Sequence, residues 1–245
     1  LEMAREQGLE VDEAGFRKLM KEQKDRAKAD AKVKKSGHTD VTEYKSIVDK
    51  SGASKFIGYD HITSEAKLTG LLVDGKSTSE ANEGSEIEVT LDRTPFYAEG
   101  GGQLADGGFI KLSNGAVIEV EDVQTPVPGL IVHRGRLVSG SIKLGDEVLA
   151  EIDLERRMAI SRAHTATHMV HKAFREALGE TATQAGSENS PGRFRFDFPA
   201  TSAVPTSVMN EVENRVNELL IADLEVHAEV MSQAQAKAMG AMALF

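Results

Sequence analysis

The sequence predicts an α+β chain in three parts: an N-terminal helical segment over residues 1–36, a small β-barrel-like subdomain over 37–152, and an α+β subdomain over 153–245 built around a His-x-x-x-His helix. Three observations predict this. Apolar residues near the start fall at helical spacing. The middle is a series of short apolar runs divided by turn dipeptides. After Asp153 the period returns to that of a helix and then alternates again.

In the first part, Asp12 can cap a helix whose Phe16, Leu19 and Met20 share one face. From Arg17 to Lys35 there are nine Lys/Arg and three Asp/Glu. That surplus suits RNA phosphates and equally suits a solvated helix face, and both readings stand. Ser36-Gly37 breaks the pattern.

In the second part the candidate strands are Lys55–Tyr59, Lys67–Val73, Glu86–Asp92, Gly108–Leu112, Val117–Val123, Leu130–Arg134 and Glu147–Ile152. Asp74-Gly75, Asn114-Gly115, Pro128-Gly129 and Gly145-Asp146 mark turns. Asn-Gly is the strongest of these hairpin signals, since both central residues of a type I′ turn need positive φ. Many short strands with regular turns predict a small barrel or sandwich.

In the third part a helix runs from Glu155 to Leu178, capped by Asp153 and stopped by Gly179. Arg193–Phe198 alternates strictly, so Phe194, Phe196 and Phe198 share one face while Arg193, Arg195 and Asp197 share the other. A helix over Val208–Leu220, a strand over Leu224–Val230 and a short helix over Gln233–Met239 follow.

Composition narrows the function classes. No apolar run approaches about 20 residues, so no transmembrane helix and no membrane partner are expected. With no cysteine there is no disulfide, no thiolate chemistry and no Cys-containing zinc site; a cytoplasmic setting fits. At a net charge of −10, a nucleic acid would have to be held by local basic patches. The first residue is Leu rather than Met, which reads as a piece of a longer chain.

Three segments can carry chemistry. In His164-Thr-Ala-Thr-His168 the two imidazoles lie one turn apart on one helix face and can share a metal ion, with His171 near the same stripe. The alternative is a pair of partly buried, hydrogen-bonded histidines. Thr165 stands where a zincin has its catalytic glutamate, which disfavours a metalloprotease. In Thr94-Pro-Phe-Tyr-Ala-Glu-Gly-Gly-Gly-Gln103, Gly100, Gly101 and Gly102 let backbone approach a ligand, and Gln103 adds a donor and an acceptor; a sharp turn between strands is the plainer reading. Gln184-Ala-Gly-Ser187 is a polar loop that can line a pocket or simply turn the chain.

Taken in order, TPFYAEGGGQ, then R-x6-HTATH from Arg157 to His168, then QAGS and RFDF from Arg195 to Phe198, resemble alanyl-tRNA synthetases and their free-standing editing relatives. The closing AKAMGAMALF (236–245) is similar too, and the resemblance covers essentially the whole chain. GLEVDEAGFRKLMKEQKDRAKA (8–29) resembles the synthetase rather than the free-standing editors. Threonyl-tRNA synthetases share a similar His-x-x-x-His helix but lack the TPFYAEGGGQ block.

The resemblance implies a parent that joins alanine to tRNA(Ala) using ATP and magnesium in a region this chain lacks. It implies that the present region hydrolyses tRNA(Ala) mischarged with serine or glycine. By resemblance, His164 and His168 supply two zinc ligands, while the remaining Cys and His come from a motif not found here. Two imidazoles do not fill a tetrahedral site, so the expectation is weak zinc or none. Gln184, Thr94 and Gln103 are the expected catalytic-site residues, with the last two as candidates for reading the serine hydroxyl. Gly100, Gly101, Gly102, Arg193 and Arg195 are the expected substrate contacts, although a solvated face also accounts for the arginines. The expected partners are the mischarged tRNA and the remainder of the synthetase, with no DNA. A free-standing deacylase acting in trans and a non-catalytic tRNA-binding module are the competing readings.

Overall fold

The computed structural model describes residues 12–34, 40–179, 182–200 and 202–241. Helix α1 (Glu13–Lys34) starts where Asp12 Oδ1 accepts the Gly15 amide at 2.8 Å. Its apolar stripe is uncovered, with Phe16, Leu19 and Met20 all exposed. The closing residues 242–245, the first four residues of the 8–29 match and the expected break at Ser36-Gly37 lie outside the described residues.

Helix α2 (Val41–Ser51) stands in a stretch expected to be β structure. Asp40 caps it by accepting the Thr42 amide, and Tyr44 and Ile47 are buried against Leu72, Val127, Leu130 and Val132 on the outside of the sheet. The Tyr44 hydroxyl donates to Glu88 at 2.7 Å.

The strands follow: β1 (Lys55–Phe56), β2 (Thr63–Val73), β3 (Lys76–Ser77), β4 (Glu80–Asn82), β5 (Glu86–Leu91) and β6 (Arg93–Thr94), then β7 (Gly108–Leu112), β8 (Val117–Val127), β9 (Leu130–Ser139), β10 (Ser141–Lys143) and β11 (Glu147–Ile152). Six of them close antiparallel in the order β2-β5-β9-β8-β7-β11, and β11 returns to β2 from Glu147↔Lys67 to Glu151↔Thr63. Closure leaves these six without a free ladder edge. The interior is filled by Leu68, Val89, Leu91, Ile110, Ile118, Val120, Leu137 and Val148, with Phe96 plugging it from the loop after β6.

The type I′ geometry expected at Asn114-Gly115 occurs instead at Asp74-Gly75, where φ is 51° and 73°. At the β7–β8 turn only Gly115 has positive φ, and the Asn114 side chain accepts the Ala116 amide at 2.9 Å. The asparagine thus stabilises the turn with its side chain rather than with a left-handed backbone.

Helix α3 (Leu154–Leu178) is capped by Asp153, which accepts the Arg156 amide, and stops at Gly179. A hairpin of β12 (Gly186–Ser190) and β13 (Arg193–Asp197) and helix α4 (Thr206–Ala222) pack on it. Their core joins Ala173, Phe174 and Val212 to Phe196 and Phe198, while Arg193, Arg195 and Asp197 face outward. The expected strand Leu224–Val230 is absent: no described segment supplies a ladder partner, and Val226 and Val230 are fully exposed. Helix α5 (Gln233–Ala238) follows, begun by a capping box between Ser232 and Gln235.

Candidate functional site

Two arginines on the first turn of α3 hold it to the barrel, and Arg156 Nε donates to Ala105 O at 3.2 Å. Arg157, on the first turns of α3, places Nε 2.9 and 3.0 Å from the two oxygens of Asp106, which is wholly buried. Its Nη atoms donate to the carbonyls of Gly58 (2.7 Å) and Pro95 (2.8 Å). Asp106 also accepts the Tyr97 amide at 2.7 Å. The TPFY segment, the turn at Gly58 and the start of α3 are thereby held as one unit.

Two turns further along α3, His164 meets the glycine-rich segment. Gly100 and Gln103 exchange backbone hydrogen bonds (3.1 and 2.9 Å), and Gly101 and Gly102 have φ of 60° and 78°. This is a type I′ turn, whose two left-handed centres explain the glycines. A Cβ on Gly102 would collide with Ser187 Oγ. The turn projects Gln103, mostly buried, so that its Oε1 lies 2.8 Å from His164 Nδ1. Since an amide oxygen only accepts, Nδ1 carries the proton and Nε2 keeps its lone pair. His168 is exposed and stacks on His164 with ring centroids 5.1 Å apart. Partial burial, with His168 adding to it, holds the His164 imidazole below the usual histidine range, so it is neutral near pH 7.

The third segment closes the site. The Gln103 region bridges β12 in parallel at Asn189: the Asn189 amide donates to Gly102 O (2.6 Å), and the Leu104 amide donates to Asn189 O (3.1 Å). Gln184 Nε2 donates to Ser187 Oγ at 2.9 Å, beside Gly102. Inside, the Thr167 hydroxyl lies 3.0 Å from Ala163 O and 2.7 Å from Asn189 Oδ1. One proton cannot serve both acceptors; turning the asparagine amide over satisfies the pair.

The chain is similar over its whole length to alanine–tRNA ligases. The chain is 63% identical to that of Nocardioides sp. over 246 residues, 58% to that of Streptomyces avermitilis and 59% to that of Acidothermus cellulolyticus, each match covering the whole chain and 28% of the relative. The family model for class II tRNA synthetases (A) matches residues 1–156. The chain belongs to the alanyl-tRNA synthetase family. It spans little more than a quarter of the length of those relatives.

Within this family member the three motif segments converge: Gly100, Gly101, Gly102, Gln103, His164, His168, Gln184 and Ser187 line one surface. Thr94 is not brought there. It is fully buried, its Oγ1 lies 2.8 Å from His133 Nε2, and it accepts the Phe96 amide at 3.1 Å. Its hydroxyl belongs to the barrel interior. Arg195 lies between Asp197 (3.1 Å) and Glu188 (3.9 Å), so its charge is already matched, and Arg193 is exposed on the same face. His171 is buried, its imidazole pushed down chiefly by that burial. Among the described residues no hydrogen-bond partner reaches its Nε2.

Asn189, Thr167 and Asp106 went unread in the sequence. Thr167 had a signal: it lies three residues after His164 and so near its face. Asp106 and Asn189 had none, because their partners are 51 and 22 residues away in the chain. As for zinc, the His164 tautomer suits a ligand, but no group of three or more His, Cys, Asp or Glu able to hold a metal occurs among the described residues. Those residues alone do not fit a tetrahedral zinc site.

Proposed function

We propose that this surface hydrolyses tRNA(Ala) carrying serine or glycine, as the editing region of an alanine–tRNA ligase. The observation that carries the reading is the Gln103–His164 hydrogen bond, which joins the glycine turn to the histidine helix beside Gln184 and Ser187. In the reaction a water oxygen adds to the ester carbonyl, the bond to the ribose oxygen breaks, and that oxygen takes up a proton. Gln103 holds His164 in the tautomer whose Nε2 can accept a proton or donate to a metal. The Gln184–Ser187 pair supplies polar groups for a serine hydroxyl, and the open turn at Gly101 admits the tRNA end.

The need for such a site is physical. Serine differs from alanine by one hydroxyl and glycine by one methyl, worth about 1–3 kcal/mol of discrimination, so a second hydrolytic sieve is the usual remedy. The parent's ATP- and magnesium-dependent joining of alanine to tRNA(Ala), its cytoplasmic location and its zinc belong to the same proposal. Zinc would take His164 and His168 plus donors from outside the described residues, and would polarise water or fix the tRNA end. Arg17, Lys18, Lys21 and Lys24, exposed on α1, support a second reading, a tRNA-binding module without catalysis.

The test is release of serine from Ser-tRNA(Ala), measured with zinc for this chain and for a version extended to the relatives' full length. Release that His164→Ala abolishes supports editing. If both versions bind the tRNA and neither releases serine, the binding module takes its place.

A further inference from the structure

Tyr59 is the anomaly of the barrel surface. Its ring is 84% exposed, yet the turn that carries it is rigidly held. The Asp60 and His61 amides both return to Ile57 O, the Ile57 amide donates to Thr94 O at 2.9 Å, and Gly58 O is gripped by Arg157. Gly58 admits no side chain, since a Cβ would collide with Pro95 O. A bulky aromatic ring is thus displayed to solvent on a backbone that cannot fold it away.

The ring is also one end of a ladder. Tyr59 meets Phe56 edge-to-face at 5.0 Å, and Phe56 meets Tyr97 at 5.9 Å. The Tyr97 hydroxyl reaches Gly100 O at 3.4 Å, the first residue of the turn that carries Gln103. Arg157 fixes the Tyr59 turn to α3 seven residues before His164, about 10 Å of helix rise. Lys55 and Arg93, exposed register partners of the β1–β6 pair, put two cations beside the ladder, with Asp92 3.6 Å from Arg93. Asp92 offsets Arg93, which leaves the group with one net positive charge beside the ladder.

We infer that Tyr59 is a stacking platform for an unpaired nucleobase of the tRNA 3′ end, holding the tail whose terminal ester lies at His164. An exposed ring with positive charge beside it is what an unpaired nucleotide requires, and the ladder joins that ring to the turn that carries Gln103. The inference rests on the editing reading for the position of the ester, but stacking is read by binding and editing by hydrolysis.

The experiment measures binding of this chain to tRNA(Ala) with its full 3′ end and to the same tRNA trimmed of its unpaired 3′ nucleotides. The wild type, Tyr59→Phe and Tyr59→Ala are compared after matched thermal melts. The wild type and Tyr59→Phe should prefer the untrimmed tRNA. Tyr59→Ala should lose that preference, binding the untrimmed tRNA about tenfold to a hundredfold more weakly, with the trimmed tRNA unaffected. Absence of a preference in the wild type overturns the inference, as does Tyr59→Ala binding like wild type, the result expected if the ring serves a protein contact. A Tyr59→Phe variant as weak as Tyr59→Ala also overturns it, because the hydroxyl and not the ring would then matter. Tyr59-dependent 3′-end binding without hydrolysis would sink editing and leave stacking. Hydrolysis untouched by Tyr59→Ala would do the reverse.

Discussion

Gln103 Oε1 accepts a hydrogen bond from His164 Nδ1 at 2.8 Å, across the seam between a barrel loop and a helix. Gln103→Ala removes the acceptor and frees the imidazole to change tautomer and to rotate. Loss of such an orienting partner typically costs 10–100-fold in metal affinity or activity. We expect a drop of about that size in serine release from Ser-tRNA(Ala), with about 1 kcal/mol of stability lost with the hydrogen bond. Wild-type rates in Gln103→Ala would show that the bond does not orient the histidine.

Arg157 is expected to govern stability. Asp106 is fully buried and Arg157 mostly so, and removing the guanidinium would strand a buried carboxylate. Arg157→Ala should cost about 3–5 kcal/mol in urea unfolding. Arg157→Lys should also be markedly destabilising, because one ammonium cannot reproduce the fork that reaches Asp106, Gly58 O and Pro95 O together.

His133 gives the chain an acid-sensitive core. Its Nδ1 donates to Val89 O at 3.1 Å, so Nε2 accepts the Thr94 hydroxyl, and burial holds the imidazole down to about 4. Above the ordinary histidine range both folded and unfolded states are neutral, and this group's contribution is fully present. As pH falls from about 6.5 towards 4, only the unfolded chain takes up the proton, so stability drops by roughly 3 kcal/mol and then levels off. Urea unfolding of the wild type and His133→Asn at pH 7 and pH 4.5 checks this: the variant should lose less on acidification.

Thr94→Val follows from the same bond. It should cost about 1–3 kcal/mol by leaving His133 Nε2 and the Phe96 amide without a partner. The preference for serine over alanine in hydrolysis should be unaltered. A change in that preference at unchanged stability would return Thr94 to the site.

The glycines of the turn are not equivalent. Gly101 has open space around a built Cβ, so Gly101→Ala should cost only its left-handed backbone, about 1–2 kcal/mol. Gly102→Ala adds a collision with Ser187 and should disturb both hydrolysis and the docking of β12. Equal effects of the two substitutions on serine release would contradict that geometry.

Much of this was legible along the chain. The cap at Asp153, the stop at Gly179 and the alternation of Arg193–Asp197 are local signals, and local chemistry decides them. Helix α2 also has a local signal, an aspartate cap at Asp40 followed by Glu43 three residues on, which the turn-and-strand pattern of its surroundings masks. Strand Leu224–Val230 failed for the opposite reason: β propensity is local, but a ladder partner is not. The site divides in the same way. Gly101 and Gly102 announced a turn and His164 with His168 a shared helix face, whereas the burial of Thr94 depended on His133, 39 residues away.

Because Arg157 fixes where α3 begins against the barrel, the seven residues from there to His164 act as a ruler marked in turns as well as in length. One residue inserted in that interval would swing His164 about 100° around the helix and carry it off Gln103, while leaving every cap and core layer upstream intact. Substitutions can be absorbed there; a change in count cannot.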